Sequence, residues 1–102
     1  MPILGDLYTF SNENLDNAPD TAGVYALYSS SSLIYIGRAQ GGSTTIRSRL
    51  KDHKSGREGM CTQSANAYKR ETCSNPVNRE RELLMEHKLN TGKLPLCNNV
   101  MP

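Results

Sequence analysis

The chain has no tryptophan, a single phenylalanine and five tyrosines among its 102 residues. With aromatics this scarce, aliphatic side chains must carry the packing, at about 25 cal/mol per Å² of apolar area buried. There are only three cysteines, Cys61, Cys73 and Cys97, and no CxxC pair among them. An odd number without that spacing argues against a disulfide framework or a zinc site and for reduced thiols. No apolar stretch suited to secretion opens the sequence, and no run is long enough to span a bilayer. A soluble, cytoplasmic protein is therefore expected. Internal repeats, low-complexity segments and linkers are also lacking, so 1–102 reads as one domain with a core over about 22–99. A domain of this length buries about two-thirds of its unfolded surface.

Lys and Arg are missing from the first twenty residues, which carry Asp6, Glu13, Asp16 and Asp20. The formal net charge is +2, yet Arg38, Arg47, Arg49, Lys51, Lys54 and Arg57 fall close together against one acid, Asp52. That contrast permits a basic face suited to a polyanionic partner. A solvated helix face accounts for the same pattern.

The most informative stretch is Gly23-Val24-Tyr25, followed by a polar spacer and Tyr35-Ile36-Gly37. Residues 24–28 and 33–36 are suited to strands, and the serines of 29–32 supply a turn, so a β-hairpin is expected. Strict alternation puts Tyr25 on the face opposite Val24, and Tyr35 opposite Ile34 and Ile36. A lone strand tyrosine is usually an ordinary aromatic. Two in this frame, each tied to a glycine, are not so easily set aside.

Downstream, 41–45 reads as a glycine-rich loop ending in a helix N-cap, a place that can receive a phosphate, although no Walker-type lysine follows. A helix is expected over 45–54, closed by Gly56, with Ile46 and Leu50 as its apolar stripe. Arg49 and His53, four apart, share a face that borders this stripe. Residues 57–65 look like a long loop and 67–73 like a third strand, with Tyr68 inside it either a strand aromatic or a residue that supports the site. Residues 3–10 either add a short strand or cover the core. Pro76 suits a first helical turn, 78–89 is the strongest helical stretch, and 90–92 ends it. Residues 94–98 return as an extended tail. In the last helix Leu83, Glu86 and Leu89 step by three, which sets Glu86 among leucines, where a carboxylate is costly unless paired or bound to a cation. Glu80 and Glu82 fit an ordinary solvated face better.

In order, Gly-Val-Tyr, Tyr-Ile-Gly, Arg49, His53 four on, Glu86, and Pro95-Leu96-Cys97-Asn98 resemble the GIY-YIG nuclease superfamily, with Val for Ile in the first tripeptide. The run from Leu83 to Glu86 and on to Asn98 is similar to the end of the nuclease domain in bacterial excision-repair endonucleases. The resemblance implies an α+β fold, a three-stranded antiparallel sheet flanked by helices. It implies Mg²⁺ or Mn²⁺ held by Glu86 and hydrolysis of a DNA phosphodiester. On this reading Arg49 holds phosphate oxygens in a fork. Tyr25 takes a proton from the attacking water and passes its own to His53. Tyr35 orients the water or binds the phosphate, and Asn98 fixes the site by hydrogen bonds. Arg38, Arg47, Lys51, Lys54 and Arg57 would contact the DNA, double-stranded or branched. Two departures stand out: the loop before Arg49 is longer than in homing-type members, and there is no room for an appended DNA-binding domain. Recognition of a site as a homodimer is then one option. A non-catalytic nucleic-acid-binding module on the same fold, and a protein-interaction domain using the long charged helix, are the alternatives.

Overall fold

The computed structural model describes residues 2–99. In chain order the elements are β1 (Tyr8–Thr9), α1 (Asn12–Asp16), β2 (Gly23–Ser29), β3 (Ser32–Ala39), α2 (Ile46–Lys54), α3 (Met60–Gln63), β4 (Ala67–Thr72) and α4 (Pro76–Thr91). The fold is α+β. Its antiparallel sheet has four strands rather than the expected three, in the order β1-β4-β2-β3. The addition is β1, which pairs Tyr8 with Tyr68 and Thr9 with Ala67. Two residues are too few to show a period-two pattern in sequence. What holds them is ring packing, with the Tyr8 and Tyr68 rings stacked at 5.4 Å.

The hairpin turns through Ser30 and Ser31 alone, both in the left-handed region (φ 51° and 71°), as a two-residue turn between twisted strands requires. Its register shifts after Leu27: Leu27 faces Tyr35, Tyr28 faces Leu33, and Ile34 is the extra residue. This bulge overturns strict alternation. Ile34 packs in the same cluster as Tyr25 and Leu27, whereas Ile36 stays with Val24 and Ala26.

Both faces of the sheet are covered. Tyr25, Leu27 and Tyr68 pack with Leu15 of α1 and with Ile46 and Leu50 of α2. Val24, Ala26 and Ile36 pack with Leu83 and Leu84 of α4 and with Ile3. That double covering is why β2 is buried from Gly23 through Leu27.

Thr45 caps α2 in a reciprocal capping box with Ser48. The first-turn amides are all taken: Ile46 donates to the Thr21 carbonyl, Arg47 to Pro19, Ser48 to the Thr45 hydroxyl and Arg49 to the Thr45 carbonyl. The helix terminus itself therefore offers a phosphate none of its first-turn amides. The fourth helix runs farther than 78–89 at both ends, from Pro76 at N1, capped by Asn75, to a left-handed Gly92. The segment expected as open loop contains α3, one short turn of helix.

Cys61 and Cys97 form a disulfide, with Cα atoms 5.8 Å apart across 36 residues of sequence, and Cys73 is free. The expectation of three reduced thiols is thus corrected, and with it goes the thiol argument for a reducing compartment. Tertiary folding alone brings the pair together, so no linear spacing marks it. Among the described residues no helix is long and apolar enough to cross a membrane.

Candidate active site

A cleft runs along β3, one of the two edge strands, between α2 and α4. Two adjoining cavities of about 410 and 350 Å³ share Tyr35, Arg38 and Glu80. The larger also takes in His53 and Thr62, and the smaller takes in Arg49.

Behind the cleft lies a buried polar chain. The Tyr25 hydroxyl is 2.8 Å from His53 Nε2, and His53 Nδ1 is 2.8 Å from the Thr62 hydroxyl. The spacing of α2 explains how His53 arrives there. Ile46, Leu50 and His53 are all buried and lie on one stripe, so the histidine belongs to the core side and not merely to its border. Burial, and next the nearby Arg49 charge, push the His53 pKa down to about 4. The ring is therefore neutral at pH 7, with one nitrogen donating and the other accepting. With Nε2 accepting from Tyr25, Nδ1–H donates to Thr62. Thr62 escaped the sequence reading because it stands in a segment with no periodicity.

Tyr25 has no exposed surface. Burial, and next its neighbour Tyr35, raise its pKa well above the usual phenol value, while Arg49 pulls the other way. The Tyr35 ring centroid is 6.2 Å from that of Tyr25 and 4.9 Å from that of His53. Its pKa is also raised, chiefly by burial, but Tyr35 is only half-buried and lines both cavities. The two phenols thus divide: Tyr25 is sealed inside and Tyr35 reaches the cleft.

Arg49 is held from two sides, Nη1 lying 3.5 Å from Asp52 and Nη2 3.3 Å from Glu58. Arg38 Nη1 is 2.5 Å from Glu80 Oε1, so Arg38 belongs to the cleft itself. The Asn98 side chain accepts from the Ile36 amide (2.9 Å) and donates to the Ile36 carbonyl (3.0 Å). With the Cys97 amide donating to Ile34 O at 2.7 Å, the tail covers the open edge of β3 as a further strand would.

The structure does not bring Glu86 to this cleft. Glu86 lines a separate groove with Ile3, Tyr28, Leu33 and Leu83 on the α4 side of the sheet. The carboxylates on the cleft are Glu80, only 7 % exposed and shared by both cavities, and Glu58, which lines the larger one and is paired with Arg49. Six residues along a helix is far from a whole number of 3.6-residue turns, so Glu80 and Glu86 cannot point the same way. The usable signal was the stripe Pro76, Glu80, Leu83 and Leu84, all buried. Leu89, which had suggested the other face, is 84 % exposed.

The remaining basic residues are engaged elsewhere. Arg47 Nε donates to the Ala18 carbonyl at 3.0 Å and its guanidinium is 3.9 Å from Asp20. Lys51 pairs with Asp16 at 2.7 Å. Lys54 donates to the Phe10 carbonyl at 3.0 Å and lies 5.3 Å over the Phe10 ring. Arg57 is 3.5 Å from Asp52. Much of the charge contrast in the sequence is thus an internal pairing of the acidic N-terminal segment with α2.

Among the described residues no group of three or more His, Cys, Asp and Glu side chains could cage a metal ion. Glu80 alone still fits a hard cation of the Mg²⁺ type, which keeps several waters and takes one or two carboxylates plus substrate phosphates. It is the carboxylate common to both cavities, and such an ion would share it with Arg38.

No protein-family model matches the chain, and no curated protein matches it.

Proposed function

We propose that this protein is a metal-dependent endonuclease that hydrolyses DNA phosphodiester bonds in the cleft beside β3. The observation that carries the proposal is the convergence of Tyr35, Arg49 and Glu80 on one cleft from three separate elements, with Tyr25 sealed behind them and bonded to His53 of the cavity wall. This supports the GIY-YIG resemblance with Glu80 in place of Glu86. Glu80 would hold Mg²⁺ or Mn²⁺, which when bound polarises the phosphate and offsets charge on the leaving oxygen. Arg49, steadied by Asp52 and Glu58, is aimed to grip non-bridging oxygens as charge develops on them. Tyr35 keeps its proton at neutral pH and donates a hydrogen bond to the phosphate. Tyr25, buried and bonded to His53, sets the position of Tyr35 and Arg49. One cleft cuts one strand, so a double-strand break would need two chains.

The Arg38–Glu80 ion pair favours the alternative, a non-catalytic module whose carboxylate is spent on an internal pair, as do the Asp52 and Glu58 contacts that engage Arg49. Incubation of supercoiled plasmid with Mg²⁺, Mn²⁺ or a chelator separates the two. Metal-dependent nicking is expected. Salt-sensitive DNA binding with no cleavage of plain, flapped, branched or single-stranded substrates would establish the module instead.

A further inference from the structure

The Cys61–Cys97 bridge joins two segments that each hold the cleft in shape. On one side Cys61 precedes Thr62, whose hydroxyl meets His53 Nδ1 at 2.8 Å. On the other Cys97 precedes Asn98, whose amide takes both the N–H and the carbonyl of Ile36. Leu96, Cys97 and Asn98 together form one wall of the larger cavity. Apart from the bridge, buried Pro95 and half-buried Leu94 anchor the start of the tail, and beyond them the wall is held by the Cys97 and Asn98 bonds to β3, since Leu96 is 79 % exposed. Cys61 is exposed, so a thiolate can reach the bridge from solvent. The free cysteine, Cys73, stands apart, against the Val24 and Leu83 cluster on the other face of the sheet.

We propose that the Cys61–Cys97 disulfide is a thiol-sensitive clasp: closed, it holds the tail on the edge of β3 and completes the cleft; opened, it releases both. Its effect on cleavage rests on the endonuclease reading, but its effect on the tail does not. Opening consumes two electrons and two protons supplied by a dithiol. One thiolate attacks a bridge sulfur to give a mixed disulfide, the second displaces the remaining cysteine, and the dithiol departs as a cyclic disulfide. Cys61 and Cys97 are left as thiols. A small disulfide such as oxidised glutathione returns the bridge by the reverse exchange, leaving as two thiols.

The test uses the full chain with Cys73→Ser, so that only the two bridge cysteines respond. Amide hydrogen exchange is followed by NMR in the oxidised protein, after dithiothreitol, and after return to oxidised glutathione, with plasmid nicking measured in parallel. On reduction the Ile36 and Cys97 amides should exchange at least about tenfold faster, while the central-strand Leu27 amide is unchanged. Nicking should fall by a similar factor and recover on reoxidation. The double variant Cys61→Ser/Cys97→Ser should behave as the reduced protein does. Unchanged exchange at Ile36 and Cys97 would overturn the clasp. So would equal acceleration at Leu27, which would make the bridge a staple of the whole fold. An exchange response with no cleavage in either state would keep the clasp and remove the endonuclease reading.

Discussion

Gly37 lies directly across the β2–β3 ladder from Tyr25, and a Cβ at residue 37 would come within 2.5 Å of both Cζ and the hydroxyl of Tyr25. The same Cβ would be 2.7 Å from the Tyr35 ring. The two phenol rings pass over this residue because it has no side chain. Gly23, at the other end of the motif, is bounded as tightly: a Cβ there would stand 2.3 Å from the Glu71 carbonyl and 2.5 Å from Ile46. Gly37→Ala is therefore expected to lower stability by about 1–3 kcal/mol through overpacking. Urea denaturation would measure the loss, and an alanine variant as stable as the wild type would show that the rings yield freely.

The assignment of the cleft carboxylate separates two variants on one helix. Glu80→Ala should reduce metal-dependent nicking by at least about 100-fold, the scale of losing a charge-stabilising group at the reacting centre. Glu86→Ala should leave the rate within about twofold, since the groove it lines is remote from Tyr35 and Arg49. Loss of cleavage on Glu86→Ala with Glu80→Ala active would reverse the assignment. Metal titration by calorimetry in the presence of uncleavable DNA gives a second reading of the same question.

The hairpin, α2, β4 and α4 were legible because each has a periodic apolar pattern or a capping signal, and the tyrosine pair because glycine marks both ends of it. What escaped has a physical reason in each case. The bulge at Ile34 shifts register by one residue, which composition does not encode. The Leu83, Glu86 and Leu89 spacing is a true i, i+3 series, but the buried stripe follows i, i+4 from Pro76 to Glu80 and then Leu84. The basic cluster around α2 was read as free charge because its partners, Asp16 and Asp20, lie about thirty residues upstream. The Cys61–Cys97 bridge and the Thr62–His53 bond are likewise contacts that only the tertiary fold creates.

The division between the two phenols predicts unequal losses. Tyr35→Phe deletes a hydroxyl on the cleft wall and should lower kcat by about 100-fold with little change in KM. Tyr25→Phe deletes a buried hydroxyl that bonds His53. It should cost about 1–2 kcal/mol of stability, because His53 Nε2 is left without a partner, and should lower kcat less than Tyr35→Phe does. Complete loss of cleavage in a well-folded Tyr25→Phe variant would make the buried phenol the proton acceptor.

The turn offers a stability gain away from the cleft. Ser31 is held at φ 71°, where residues with a Cβ are disfavoured by roughly 1–2 kcal/mol. Ser31→Gly should recover about 1 kcal/mol of this and raise Tm by about 4–8 °C for a domain of this size. A lower Tm in a thermal scan would mean that added freedom in the unfolded chain outweighs the relief.

The last prediction follows from His53. Its pKa falls from 6.5 to about 4 on folding, chiefly through burial. Above pH 6.5 the ring is neutral in both states and contributes no pH dependence. Between pH 6.5 and 4 the unfolded chain takes up a proton that the folded one refuses, so stability falls as pH falls. The total loss across this window is roughly 3 kcal/mol, at 1.36 kcal/mol per pKa unit. Below about pH 4 both states hold the proton and the loss from this group is complete. His53→Gln keeps an amide that can meet Tyr25 and Thr62 but does not titrate. Its stability should fall by about 2–3 kcal/mol less than that of the wild type between pH 7 and pH 4.5, as read from urea midpoints at the two values. Equal acid losses in the two proteins would show that His53 takes its proton while folded, and the neutral Tyr25–His53–Thr62 chain would then have to be abandoned.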